Sequence, residues 1–126
     1  MIEVPVAWGE LVDKITILEI KTERIADPAK LANVTTELGL LRLRLAAVAA
    51  DPAVVRLHAA LKDVNETLWR IEDDIRDCER DGDFGAKFVE LARAVYRTND
   101  RRADLKREIN LALGSTIVEE KSYKPY

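Results

Sequence analysis

The chain is short of the residues that staple, bend or chelate. Of its 126 residues one is cysteine, one histidine, four are proline and five glycine. A lone cysteine excludes an intrachain disulfide framework, and Cys78 falls on an apolar helical position that suits a small buried hydrophobe. His58 is the only histidine and no carboxylate-x-x-His pair exists, which excludes a histidine-rich metal centre. So few glycines and prolines leave too few turns for a β-sandwich. No segment reaches the roughly 18 apolar residues that span a bilayer, and the opening MIEVPVAWGELVDK lacks a basic start followed by an unbroken apolar run. A soluble cytoplasmic protein without a membrane partner is the expectation. The net charge of −3 supplies no global field for nucleic acid, so any basic patch must be local.

What is present is apolar and charged residues in helical rhythm, 48% and 34% of the chain. A length of 126 residues suits one domain. Ile2, Val4 and Val6 alternate with Glu3 and Pro5, a short extended arm over residues 1–7. Trp8, Leu11, Ile15, Leu18 and Ile25 then follow at three-and-four spacing, with Thr22 in the one polar slot, and predict a helix over 8–26. Ile17 and Ile20 widen its apolar face beyond a single seam. Asp27-Pro28 stops that helix and starts the next, since proline at the first helical position loses no needed hydrogen bond and the Asp can cap free amides. Leu31, Val34, Leu38, Leu41, Leu45 and Val48 carry the second helix over 28–50, where Gly39 calls for a close helix approach to offset its low propensity. Asp51-Pro52 repeats the device and opens a helix over 52–80, built on Val54, Leu57, Leu61, Val64, Leu68, Ile71, Ile75 and Cys78. After a turn at Gly82, the fourth helix spans 84–113, and Gly114 stands where a left-handed C′ residue is wanted. Residues 115–126 have no helical period and are expected as an extended tail, with Thr116 to Val118 beside the opening arm. The fold class is all-α: four helices on a long antiparallel hairpin made by the third and fourth.

The candidate sites lie in that hairpin. DCERDGDFGAKF imitates a calcium loop, but the twelfth position, which needs a bidentate Glu, is Phe88. A carboxylate-only magnesium site from Glu72, Asp73 and Asp77 is weaker than a plain solvated acidic face. No glycine loop cradles a phosphate, no nucleophile has a base partner, and no cofactor is called for. On the fourth helix Arg93, Arg97 and Arg101 stack at i, i+4, i+8, which is unfavourable without an acid or anion opposite. Folding the hairpin about Gly82 sets Asp73 against Arg93, Trp69 against Arg97, Glu66 against Arg101 and Asn65 against Asn99. Three readings stay open: a hairpin zipped by salt bridges; an anion pocket in which Arg97, Arg101 and Arg102 hold a phosphate or carboxylate while Tyr96 and Trp69 pack on the rest; and polar side chains in the seam that fix pairing register, as buried Asn does in coiled coils.

The segments VPVAWGELVDKITILEIK, LWRIEDDIRDCE, FGAKFVELARAVYRTNDRRADLKREIN and GSTIVEEKSY together resemble an uncharacterised family of small bacterial proteins, a domain of unknown function. The resemblance covers nearly the whole chain and is thinnest from Pro28 to Leu61. It implies a domain that occurs alone or fused to repeat-containing or glycan-related proteins, and it offers no catalytic residue to carry over. Its segments bring Trp8 and Tyr123 in as arm contacts, on one surface with Trp69, Tyr96 and Asn99 if both arms lie over the hairpin. The leading functional expectation is a non-enzymatic scaffold or protein-interaction module, partnered by another protein or by itself as a homodimer. The alternative is a small enzyme or binding domain for a phosphorylated or carboxylated metabolite, using Arg97 to Arg102 with Glu72 or Asp73.

Overall fold

The computed structural model describes residues 1–126 and contains four helices and no strand: α1 (Trp8–Arg24), α2 (Pro28–Leu45), α3 (Pro52–Asp81) and α4 (Ala86–Ala112). Both Asp-Pro junctions act as expected. The Asp27 carboxylate accepts from the Lys30 amide at 3.1 Å, and Asp51 accepts from the Ala53 amide at 2.8 Å, each beside a proline at the first helical position. Gly82, at φ 67°, closes α3. Asp83 holds the following turn by accepting from the Gly85 amide, and Phe84 packs edge-on against Phe88 with centroids 5.4 Å apart. Helix α2 ends at Leu45, earlier than expected, and residues 46–50 continue as turns.

The organising element is α1, not the α3/α4 pair. It packs against all three other helices, whereas the backbone of α2 comes close to α1 alone. Val12, Ile15 and Thr16 are completely buried and Asp13 and Ile20 nearly so. The core joins Leu11, Val12, Ile15 and Leu18 of α1 to Leu38 and Leu45 of α2, Val54, Leu57 and Leu61 of α3, and Leu105 and Ile109 of α4. Each such side chain contributes about 1.5–3 kcal/mol by leaving water. No core member lies between Leu61 and Leu105. Past the reach of α1, α3 and α4 therefore continue as a two-helix arm, in which Ile71 and Cys78 alone are buried. From Arg70 to the end of α3 the arm extends about 18 Å at 1.5 Å per residue.

Two expectations are corrected. Gly39 has open space around it, with nothing within 4 Å of an added Cβ; the close-approach glycine is Gly9, where a methyl group would overlap the Lys106 carbonyl. The tail forms no strand with the opening arm. It returns along α4, pairing Glu119 with Lys106, Glu120 with Arg107, and Lys121 and Tyr126 with Asp100, while Glu3 of the arm reaches Arg44 of α2.

Candidate functional site

Where α1, α3 and α4 meet, the chain buries a set of polar groups that bond to one another. Asp13 is 1% exposed and Asn65 5%. Arg102 grips Asp13 side-on through one edge of its guanidinium, Nε to Oδ1 at 2.8 Å and Nη2 to Oδ2. Asn65 donates from Nδ2 to Asp13 Oδ1 at 2.9 Å and to Thr16 Oγ1 at 2.8 Å, and the Thr16 hydroxyl donates to the Asp13 carbonyl at 2.7 Å. The hydrogen bonds that Arg102 donates to Asp13 raise its pKa further, against the opposing effect of burial. No buried side-chain nitrogen or oxygen lacks a partner. The cluster is thus a closed network that fixes three helices, since breaking any link strands a buried charge or amide.

One turn away, the start of α1 is capped by the end of α4. Ala7 offers no side-chain cap; instead the Gly9 amide donates to Asn110 Oδ1 at 2.7 Å and the Trp8 amide to Ser115 Oγ at 3.1 Å. Gly114 makes this geometry. At φ 63° it lets the Ser115 amide bond back to the Asn110 carbonyl at 2.9 Å, bringing both capping side chains to one end. Partner numbers on α4 fall as those on α1 rise, from Trp8 with Ser115 through Gly9 with Asn110 to Asp13 with Arg102, so the two helices run antiparallel. Lys106 lies between these contacts. Burial works against its ammonium, but hydrogen bonds to Glu10 and Glu119 prevail and hold its pKa above the usual value.

Beside Lys106 the tail and α4 enclose an open cleft of about 420 Å³, with Tyr96, Asn99, Arg102, Lys106, Glu119 and Tyr123 among its walls. Tyr126 packs against Tyr96 at a tilt of 59°, centroids 5.0 Å apart, and donates to Asp100 at 2.6 Å, which holds the Asp100 carboxyl below its ordinary range. Every cation of the cleft is already paired: Arg102 with Asp13, Lys106 with Glu10 and Glu119, Lys121 with Asp100.

Of the residues singled out in the sequence, Tyr96, Asn99, Arg102 and Tyr123 come together here. The others do not. Arg93 and Arg97 turn to Glu90 of their own helix, Glu72 pairs with Arg76, and Asp73 and Arg101 are exposed. The expected cross-helix ion pairs are absent because carboxylates on the same helix are nearer than the facing helix, and because apolar side chains such as Ile71 and Cys78 are buried between the two. The surface expected to hold both tryptophans is split: the Trp69 ring lies under Arg24 at 5.7 Å, and Trp8 sits at the α1 start. Glu72, Asp73 and Asp77 gather into no set of three or more metal-ligand side chains. Asp13, Thr16 and Asn110 were missed. The available signal was Gly9, Asp13 and Thr16 at i, i+4, i+7 on α1, a polar line directly beside the apolar stripe of Trp8, Leu11, Ile15 and Leu18.

The chain belongs to the Family of unknown function (DUF6165), whose model matches residues 2–126. No curated protein and no solved structure matches it.

Proposed function

We propose that the protein is a non-enzymatic interaction module whose α3/α4 arm docks a partner protein. The observation that carries this is the arm itself, a two-helix projection with Phe84 56% and Val89 52% exposed near its tip. The last turns of α3 and the loop add Glu72, Asp73, Asp74, Asp77, Glu79, Asp81 and Asp83 against Arg76 and Arg80 alone. An apolar tip inside an acidic rim fits a partner with an apolar pocket edged by lysine and arginine. The buried polar groups at the other end of the pair are spent on holding α1, which supports a structural rather than a chemical role for them. A cytoplasmic setting accords with the single free thiol, Cys78, 2% exposed, and no helix is long and apolar enough to cross a membrane.

The test is site-specific photo-crosslinking in the native cells, with a benzophenone side chain at Val89 and a control at exposed Lys30. One discrete adduct at Val89, lost with Phe84→Asp and weakened by salt, is expected. Equal labelling at both positions, or none at Val89, overturns the reading.

A second reading is favoured by the cleft. There Lys106 and Lys121 could receive a phosphorylated or carboxylated metabolite, as an enzyme or a binding domain, if Glu119 on the tail yields its place on Lys106. Pyrophosphate raising the melting temperature, and Lys121→Ala abolishing the rise, would support it; no shift across nucleotides and pyrophosphate would count against it.

A further inference from the structure

Past Ser115 the chain makes no hydrogen bond through its backbone. The tail lies on α4 by side chains alone, and it is fastened unevenly. At its far end two groups share one acceptor: Lys121 donates to Asp100 Oδ1 at 3.0 Å and Tyr126 to Oδ2 at 2.6 Å, while the Tyr126 ring packs against Tyr96. Upstream, the tail's hold on Lys106 is one carboxylate, Glu119 Oε2 at 2.8 Å, on a side chain 62% exposed.

Lys106 has an acid without it. Glu10, in the first turn of α1, already accepts from the same ammonium at 2.7 Å. A lysine whose side chain is 12% exposed therefore carries two carboxylates, one fixed to the helical body and one on a segment with no secondary structure. A second, exposed ion pair adds little to stability. What Glu119 does is occupy. It sets an oxyanion on Lys106 at the wall of the 420 Å³ cleft, a volume that suits a small ligand. Among the walls Arg102, Lys106 and Lys121 face Asp100 and Glu119. With Glu119 turned outward the same three cations face Asp100 alone, while Asp13 and Glu10 stay bonded to Arg102 and Lys106 from outside the walls.

We infer that Glu119 is an autoinhibitory carboxylate, an internal stand-in for the phosphate of a small phosphorylated ligand that must displace it from Lys106. The fastening at Asp100 keeps Glu119 close, so it competes with the high effective concentration of a tethered group. A phosphoryl group brings more charge and more acceptor oxygens to the ammonium than one carboxylate does, and so wins the exchange. The inference rests on the second reading above, the anion-binding cleft, and adds how that cleft is held shut.

Calorimetric titration of the full chain with pyrophosphate decides it, with Glu119→Gln set against Asp73→Asn. Both positions are exposed and both substitutions remove one negative charge, but Asp73 lies on the arm and is not a wall of the cleft. Glu119→Gln is expected to tighten pyrophosphate binding about two- to fivefold, the range an exposed ion pair allows, and Asp73→Asn to leave it unchanged. Binding to Glu119→Gln alone, too weak to detect in the wild type, supports the same conclusion. If Glu119→Gln binds no more tightly than the wild type, the cleft takes anions without a gate: the inference falls and the second reading stands. Equal tightening in both variants would reduce the effect to net charge and overturn the inference in the same way. If neither wild type nor Glu119→Gln binds pyrophosphate, the second reading and the inference fall together.

Discussion

At its base, beside α1, the α3/α4 pair keeps Asn65, Leu105 and Ile109 at 5% exposure or less and draws Arg102 across to Asp13. At its tip the same two helices bury only Ile71 and Cys78, and their ion pairs are local: Glu72 with Arg76, Asp77 with Arg80, Glu90 with Arg93. Charge is at least as dense along the tip. The difference is the surroundings. At the base a third helix excludes water, so each polar group needs a specific partner from another element and the bonds lock helices together. At the tip both partners of every pair sit on one helix in solvent, where a pair adds little and fixes nothing beyond its own turn.

The largest test of this contrast is Asp13→Ala set against Asp73→Ala. The first leaves the Arg102 guanidinium and the Asn65 amide without their acceptor, and about 3–5 kcal/mol of unfolding free energy should be lost. The second, on an exposed residue of the arm, should change stability by less than about 0.5 kcal/mol. Urea denaturation with unchanged slope measures both; similar losses would erase the distinction between base and tip. Next comes Gly9→Ala. The new methyl overlaps the Lys106 carbonyl and lies 2.8 Å from Asn110 Oδ1, so α1 must shift off its cap, at a cost of about 1–3 kcal/mol. A neutral result would mean that α1 and α4 can separate at no cost, and the hub role of α1 would fail with it.

The same contrast explains what could be read from the residues. Helix positions were legible because Asp-Pro starts, Gly stops and three-and-four apolar spacing are local signals, as with Asp27, Asp51, Gly82 and Gly114. The inner stripe of α2 was legible for the same reason. The centrality of α1 was only hinted at by Ile17 and Ile20, because how many neighbours a helix has depends on where distant segments pack. The column Arg93, Arg97, Arg101 drew attention as a site, yet charge that is dense in sequence is often charge that water already satisfies. Asp13 looked ordinary in sequence; its partners are 52 and 89 residues away. Of the expected site, Arg102 joins that network, while Tyr96, Asn99 and Tyr123 meet only because the tail folds back along α4, which no local pattern encodes.

A smaller effect concerns Glu19, which joins α1 to α2 and α3 through Arg42 at 3.0 Å and His58 at 2.7 Å. Burial opposes its charge, but the hydrogen bonds from His58 and Arg42 outweigh that and lower its pKa. A folded-state pKa below the unfolded one contributes stability above the unfolded value, 4.5 for this side chain, and that contribution fades as pH falls through the lowered folded value. Glu19→Gln should therefore cost about 1–2 kcal/mol at pH 6, with the gap to wild type closing below pH 4.5. A gap that stays constant through that range would mean that the carboxylate charge does not hold α2.

The smallest effect lies at the tip, and salt separates it from all the others. Glu90 stands 3.6 Å from Arg93 and 4.0 Å from Arg97, with its side chain 68% exposed. Glu90→Ala leaves Arg93, Arg97 and Arg101 as a column of like charge and should cost no more than about 0.5 kcal/mol at low salt. At 1 M salt the screening length shrinks to about 3 Å, shorter than either contact, and the cost should vanish. The loss in Asp13→Ala should persist at the same salt concentration, because Asp13 is 1% exposed and counterions cannot reach it. If salt erased both losses alike, the base would be as open to water as the tip, and the closed network around Asp13 would have no part in holding the three helices together.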